Sequence, residues 1–98
     1  MLSIVKLDLR ITGANTAFDS EILGLIRAAI ADLEMIGIRI YYAEGSDGDV
    51  LISDPLIQRA IITFCRCNFG EPDNYAQLKA AYDEQKAQFR CNPLYIVR

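Results

Sequence analysis

The segment between residues 54 and 70 constrains the fold more strongly than any other part of the chain. Asp54 can accept hydrogen bonds from the free N–H groups of a helix start, and Pro55 suits the first helical position. Gly70 favours the left-handed conformation that ends many helices. The segment between these residues is apolar on almost every face, apart from a seam at spacings of four and three: Arg59, Thr63 and Arg66. We therefore expect a helix that its own domain, together with other subunits, must cover.

Three other segments carry patterns typical of helices. Residues 3–10 also alternate with the period of a strand, so periodicity alone leaves helix and strand open there. Residues 16–36 place apolar side chains at spacings of three and four, and Gly37 ends the pattern. Thr16 and Asp19 resemble a capping box at its start. The last helical segment carries one stripe of side chains: Tyr75, Leu78, Tyr82, Gln85 and Phe89.

Two short β-prone runs, residues 38–42 and 50–52, flank a loop rich in glycine and aspartate. This pattern predicts a β-hairpin, although two strands alone are only marginally stable in water. Tyr41 and Tyr42 are adjacent in the first run, so in a strand their rings face opposite ways. Both rings then require neighbours from elsewhere in the chain or from a partner.

The chain ends in an extended apolar tail: Leu94, Tyr95, Ile96 and Val97. Such a segment would fray and expose apolar surface unless something holds it. Two alternatives are open at this point. The tail either folds back on the domain's own helices or adds to the surface of a partner, as a strand would.

Together these patterns predict a mostly α fold, a small bundle of about four helices with a short β-hairpin between the second and third helices and an extended C-terminal tail. The length of 98 residues, without a repeat or a linker, predicts a single domain over residues 1–98. No apolar run is long enough to span a bilayer, so no membrane partner is expected. Charges appear too early in the chain for a secretory signal, which predicts a protein made and used in a cytoplasm.

Residues suited to catalysis or metal binding are scarce. The chain has no histidine, which removes the commonest general base and the commonest zinc ligand. Cys65 and Cys67 would lie about 200° apart around a helix, so they cannot hold one metal ion together. The acidic residues Glu44, Asp47 and Asp49 share a loop but lack the ligand spacing of the EF-hand calcium loop. We expect no enzymatic activity, no cofactor and no metal site.

Arg59 and Arg66 permit two interpretations. Their stems can lie on apolar neighbours while the charged ends reach water, which is the usual behaviour of long cationic side chains. Alternatively, they pair with carboxylates of an adjacent subunit. The net charge of −3 argues against a free-standing binder of duplex DNA, which usually presents a basic face.

The order and spacing of the segments resemble the small head–tail connector (adaptor) proteins of tailed bacteriophages, often labelled DNA-packaging proteins. The resemblance is carried by residues 5–11, 18–22 and 25–29 in the first half of the chain. It continues through residues 54–61, 68–70 and 75–86, and so covers nearly the whole sequence. It implies a helical bundle, and for that reason we favour a helix over a strand for residues 3–10.

The resemblance also implies a role. Such proteins form a ring of about twelve copies on the phage portal, consistent with closed cyclic symmetry. The ring extends the DNA channel, lets DNA pass without specific binding, and docks the next head-completion or tail protein. The expected location is the neck of the virion, after assembly in the cytoplasm of the host bacterium. The family has no catalytic residues to transfer to this sequence.

The leading hypothesis is therefore a structural ring adaptor. The alternative is a small helical regulatory protein that binds DNA or a protein partner through its third helix, a hypothesis favoured only by the arginine seam. The candidate residues for the subunit or portal interface are Tyr41, Tyr42, Arg59, Arg66, Leu94, Tyr95, Ile96 and Val97.

Overall fold

A computed structural model describes residues 1–70 and 72–96 of the chain. The described residues form α1 (Leu2–Asp8), α2 (Asp19–Met35), β1 (Ala43–Glu44), β2 (Val50–Leu51), α3 (Pro55–Asn68) and α4 (Tyr75–Arg90). Two single-turn 3₁₀ helices, Ser46–Gly48 and Pro93–Tyr95, lie in the hairpin loop and in the tail. The predicted fold is confirmed: it is mostly α, with four helices in the described ranges and a short hairpin between the second and third.

The third helix begins and ends where its local residues predict. The Asp54 Oδ1 atom accepts a hydrogen bond from the Leu56 backbone N at 2.9 Å, and Pro55 follows it as the first helical residue. Gly70 adopts a φ of 69° just beyond the helix, where a side chain would be strained. α3 packs against α1, α2 and α4, while Arg59 and Arg66 stay exposed. The buried residues of α3 are Ile57, Ala60, Ile61, Cys65 and Cys67.

The first segment is a helix, as the family resemblance implied. Val5 is fully buried, and the Asp49 Oδ1 atom accepts a hydrogen bond from the Leu2 backbone N at 3.0 Å. The N-terminal amine of Met1 donates to the Val50 carbonyl at 2.9 Å and lies 3.4 Å from the same Asp49 oxygen. These contacts attach α1 to β2, so the first helix closes one end of the hairpin. They need a side chain from 47 residues further along the chain.

The start of α2 differs from the capping box expected there. Its N-cap residue is Phe18, with no side-chain cap, and Thr16 contributes only its backbone carbonyl, 3.2 Å from the Asp19 N. The Asp19 carboxylate instead lies 2.8 Å from the Nζ atom of Lys6, which is buried in α1. A buried ammonium requires a counter-charge and hydrogen-bond acceptors, and this requirement outweighs the local cap. Lys6 also donates to the Asn15 carbonyl at 2.7 Å.

The hairpin lies where the sequence predicts it, but its first strand begins later. β1 pairs antiparallel with β2 in the register Ala43↔Leu51 and Glu44↔Val50. The earlier residues of the predicted strand, 38–42, do not join this ladder; Ile38 instead forms an antiparallel bridge with Ile96 in the tail. Of the run predicted as the first strand, Ile38 pairs with the tail, residues 39–42 are not in a strand, and β1 lies just after the run.

The core is one apolar cluster to which all four helices contribute. α4 contributes Tyr82 and Phe89, and the Tyr82 hydroxyl donates to the Asp32 Oδ2 atom at 2.6 Å. Burial and this hydrogen bond raise the pKa of Tyr82 well above its usual range. The largest fully buried side chains are Ile22, Ile26, Leu33, Ile38, Ile57, Ile61, Val5, Val50 and Cys65. In the ranges that the structure describes, every helix is too short or too polar to cross a membrane.

Candidate assembly surfaces

Most of the predicted interface residues lie along two separate grooves at the surface. The first groove, the tail groove, has a volume of about 380 Å³ and lies between the tail, residues 39–41 and the start of α3. Its lining residues are Arg39, Tyr41, Ser53, Asp54, Ile57, Leu94 and Tyr95. The second lies on the solvent side of α3, and the two grooves share no lining residue.

The described part of the tail folds back on its own chain. The Tyr95 ring packs against Phe89 with ring centroids 4.9 Å apart, and its hydroxyl donates to the Asp54 Oδ2 atom at 2.8 Å. That hydrogen bond raises the pKa of Tyr95. Ile96 is held by its bridge to Ile38. Of the two alternatives for the tail, the first therefore holds for residues 92–96, whereas Val97 lies outside the described residues.

The rims of the tail groove leave apolar side chains in solvent. Leu94 is 82% exposed and Tyr41 is 75% exposed, although both line the groove. The Arg39 Nη1 atom donates to the Tyr41 hydroxyl at 3.0 Å, which orients that ring at the groove edge. Tyr42, also exposed, does not line this groove. The structure thus brings Tyr41, Leu94 and Tyr95 together and places Tyr42 elsewhere.

The second groove follows the predicted polar seam of α3. A depression of about 310 Å³ is lined by Asp8, Pro55, Gln58, Arg59, Ile62, Thr63 and Arg66. The Thr63 hydroxyl donates to the Arg59 backbone carbonyl at 2.9 Å, so this polar group is satisfied within the helix. The Arg66 Nε atom lies 3.5 Å from the Asp8 Oδ2 atom. The exposed Arg59 guanidinium has no ion-pair partner among residues 1–70 and 72–96.

A third arginine extends this groove. A depression of about 260 Å³ shares Asp8 and Arg66 with the first one and is also lined by Leu9, Arg10, Phe69, Pro72, Asn74 and Leu78. We call the two joined depressions the arginine groove. Arg10 has a φ of 61°, in the left-handed region, immediately after the end of α1. The sequence analysis missed Arg10, although an arginine where helices commonly end in glycine was a visible signal.

Comparison of the whole chain with known proteins identifies its family. The family model for phage connector proteins matches residues 1–92. The chain belongs to this family. The comparisons with curated proteins and with solved structures give no match. Family membership confirms the resemblance seen in the sequence and assigns the chain a connector-type structural role.

The cysteine thiols of this phage connector differ in environment. Burial raises the pKa of Cys65 to about 12, and burial also raises the pKa of Cys67. Cys91 is exposed just after α4. In the described ranges, no three cysteine or carboxylate side chains are grouped closely enough to hold a metal ion. The two grooves present charged and apolar side chains at the surface of the chain.

Proposed function

We propose that this connector forms a closed ring of about twelve copies on the phage portal, in keeping with cyclic symmetry. In this proposal the ring extends the DNA channel, and its outer face docks the next neck or tail component. Residues 1–98 act as a single domain without enzymatic activity. The observation that carries the proposal is the family match over residues 1–92, nearly the whole chain.

The exposed apolar side chains support assembly. Burying one large apolar side chain against a partner contributes roughly 1.5–3 kcal/mol, so a few such contacts stabilise an interface. Isolated exposed apolar residues are normal on a monomer, but here they occur on every helix and on the hairpin. The exposed large apolar residues are Ile4, Leu7, Phe18, Met35, Tyr41, Tyr42, Leu51, Leu56, Tyr75 and Leu94.

The tail groove is the surface that we assign to the portal or to the next neck protein. Its exposed Leu94 and Tyr41 flank a concave site with both an arginine and an aspartate in the lining. An apolar side chain from the partner would enter between them, with Arg39 and Asp54 available for polar contacts. We also assign Val97 of the tail to this surface, as a prediction from the sequence.

The acidic balance of the chain supports passive passage of DNA. A net charge of −3 for each copy repels phosphate groups, so DNA would slide through the ring instead of binding to it. The corresponding location is the virion neck, with assembly in the cytoplasm of the host bacterium.

Electron microscopy of the connector mixed with the portal protein of its own phage tests the ring. We expect class averages viewed along the symmetry axis to show a closed ring of connector subunits on the portal. The connector without portal, measured by native mass spectrometry, should be monomeric or weakly oligomeric. A mixture that contains only free monomer and free portal would contradict the proposal.

The tail groove requires a substitution that leaves the fold intact. Deletion of residues 94–98 would also remove the Tyr95–Asp54 hydrogen bond and the Ile38–Ile96 bridge. Leu94→Ser is more selective, because this side chain is mostly in solvent. We expect weaker docking to the portal or to the next neck protein and an unchanged circular dichroism spectrum, with Gln88→Ser on exposed α4 surface as the control. Normal docking of Leu94→Ser to both would remove the tail groove from the proposal.

One observation favours the second candidate function, a regulator that binds DNA through its third helix. Arg59 and Arg66 lie on the exposed side of α3. Binding to duplex DNA through such residues would weaken steeply as salt rises. Absence of binding to free duplex DNA at low salt would eliminate this candidate.

A further inference from the structure

The arginine groove contains more positive charge than the described residues of its own chain neutralise. Arg10, Arg59 and Arg66 line it, and the carboxylate among its lining residues is that of Asp8. Asp8 lies near the Nε atom of Arg66, so the guanidinium groups of Arg10 and Arg59 have no ion-pair partner in the described ranges. The chain has a net charge of −3, whereas the described residues that line this groove carry a net positive charge.

The backbone at Arg10 indicates that a side chain is useful at this position. With a φ of 61°, Arg10 occupies a conformation that glycine adopts without strain and that other residues seldom adopt. It also ends α1, since the Arg10 N donates to the Leu7 carbonyl at 3.1 Å and the Ile11 N donates to the Lys6 carbonyl at 2.9 Å. Glycine would provide this helix end at less cost, whereas only a long cation extends the positive groove.

The hairpin loop has the opposite charge. Between β1 and β2 the acidic residues are Asp47 and Asp49, with Glu44 at the end of β1 and no basic residue in the loop. The Asp49 carboxylate accepts a hydrogen bond from the Leu2 backbone N of its own chain, and the Glu44 carboxylate lies 2.9 Å from the Arg27 guanidinium. Asp47 is exposed, stands in the 3₁₀ turn with a φ of 56°, and has no ion-pair partner among the described residues. The loop therefore presents an unneutralised carboxylate at its tip.

We propose that the acidic loop around Asp47 in one copy binds the arginine groove of the next copy. The inference rests on the proposed ring, for which it supplies a contact between neighbours. The two patches are different surfaces of the same chain, so the contact is head-to-tail, and repeated head-to-tail contacts close into a ring when the rotation permits. Complementary charges favour association and fix which surfaces meet.

A protein loop fits this groove better than duplex DNA does. Asp8 lies within the groove and would repel a continuous phosphate backbone, whereas a loop places one carboxylate at a chosen point. The wall also contains apolar side chains, among them Ile62, Phe69 and Leu78. Such a wall suits a folded peptide segment more than a row of phosphates.

Disulfide cross-linking between two variants of the full chain tests the contact without any other protein, at a connector concentration at which native mass spectrometry detects its weak oligomers. Both variants carry Cys91→Ser; one also carries Ser46→Cys beside the loop tip, and the other carries Thr63→Cys in the groove. Because each variant has a single engineered thiol, an engineered disulfide between them joins two copies. We expect this pair to form the mixed dimer roughly 10-fold faster than a control pair in which Gln88→Cys replaces Thr63→Cys, since binding raises the effective concentration of the thiols. Equal rates for the two pairs would overturn the inference.

A charge exchange tests the same contact in the assembled ring. Arg59→Glu alone and Asp47→Lys alone should each weaken ring formation on the portal about 10-fold, and the double variant should recover much of the loss. Arg90→Glu, which reverses a charge on exposed α4 surface, is the control and should assemble normally. Normal rings from both single variants would overturn the loop contact and leave the proposed function intact.

Two further outcomes distinguish a failure of the proposed function from a failure of the loop contact. If wild-type connector forms no ring on the portal, the proposed function fails, and the cross-linking rates still decide the loop contact. If wild-type connector binds short duplex DNA at low salt and Arg59→Glu abolishes that binding, the groove belongs to DNA and the inference is wrong.

Discussion

The helical core and the hairpin-and-tail region of this connector differ in how much they depend on buried apolar contacts and on individual hydrogen bonds. In the core, helices meet through fully buried aliphatic side chains, such as Ile26 of α2 and Ile61 of α3. In the hairpin-and-tail region, fewer side chains reach the core, among them Ile38 and Val50, and individual hydrogen bonds such as those of Asp49 and Tyr95 add to them. Apolar side chains of the second region, including Leu94, remain in solvent.

This difference separates stability from assembly. A dry core is stabilised by many contacts among its own side chains, so it needs no partner. The loss of one large side chain is still costly, because it leaves a cavity. A region with fewer buried contacts opens at lower cost, and its exposed apolar side chains stay available to a second protein. We infer that the connector folds through its buried core and meets its partners through surfaces outside that core, the tail groove and the arginine groove.

The largest predicted effect is in the core. Ile61→Ala removes a fully buried side chain between the helices, so we expect the free energy of unfolding to fall by about 2–5 kcal/mol. Urea unfolding followed by circular dichroism measures this loss. Leu94→Ala, the matched control from the tail, should change the same quantity by less than about 0.5 kcal/mol. Similar losses for the two variants would erase the distinction between the regions.

A smaller effect is expected where the two regions meet. The Asp49 carboxylate accepts hydrogen bonds from the backbone N atoms of Leu2 at 3.0 Å and Val50 at 2.7 Å. Asp49→Ala leaves these donors unpaired, which should cost about 1–2 kcal/mol of unfolding free energy and speed amide hydrogen exchange at both residues. Asp47→Asn, in the same loop, should leave exchange at Leu2 unchanged. Slow exchange at Leu2 in Asp49→Ala would show that α1 does not depend on the hairpin.

A change in the tail should lower the free energy of unfolding by a smaller amount, and that amount should depend on pH. Tyr95→Phe keeps the ring against Phe89 but removes the hydrogen bond to Asp54, at a cost of about 1 kcal/mol near neutral pH. Because that bond raises the pKa of Tyr95, the folded state favours the neutral phenol. Its contribution is fully present below the ordinary tyrosine pKa of about 10 and is lost as the pH rises through the raised value.

Urea unfolding at several pH values measures this dependence. The difference in stability between wild type and Tyr95→Phe should shrink as the pH rises above about 10. Tyr75→Phe, a change at an exposed tyrosine outside the tail, is the control and should not alter the profile. A difference that stays constant with pH would contradict a role for the Tyr95 proton.

The smallest effect is measured by thiol labelling of the wild-type chain, which requires no substitution. At pH 8 the buried Cys65, with a pKa of about 12, should react slowly with a maleimide or disulfide reagent, whereas the exposed Cys91 should react at once. Intact mass measured over time should show one rapid addition, which Cys91→Ser abolishes. Rapid addition to Cys65 would show that the core opens as readily as the tail.

The sequence predicted the helical part of the fold well because its signals are local. Asp54 and Pro55 start α3 in the structure as they do in the sequence pattern, and Gly70 follows its end. The candidate interface was predicted less completely. Tyr41 and Leu94 line one groove, but Tyr42 lies apart from them, and the interface role of all these residues stays a prediction.

The errors have physical causes. Thr16 does not cap α2, because the helix begins at Asp19 with Phe18 at its N-cap, and the Asp19 carboxylate pairs with the buried Lys6. The run from residue 38 to residue 42 has the period of a strand, but periodicity does not say which segment pairs with it. Arg10 was not among the predicted interface residues, because the arginines that share its groove lie on α3, remote in the sequence.

By itself, the sequence determined four helical segments, a hairpin between the second and third, and membership of the phage connector family, since caps, periodicity and family patterns are read along the chain. Tertiary structure alone decided that Ile38 pairs with the tail, that Tyr95 binds Asp54 and that three arginines share one groove. These contacts join residues many positions apart. They depend on how the helices pack, and no local pattern encodes that packing.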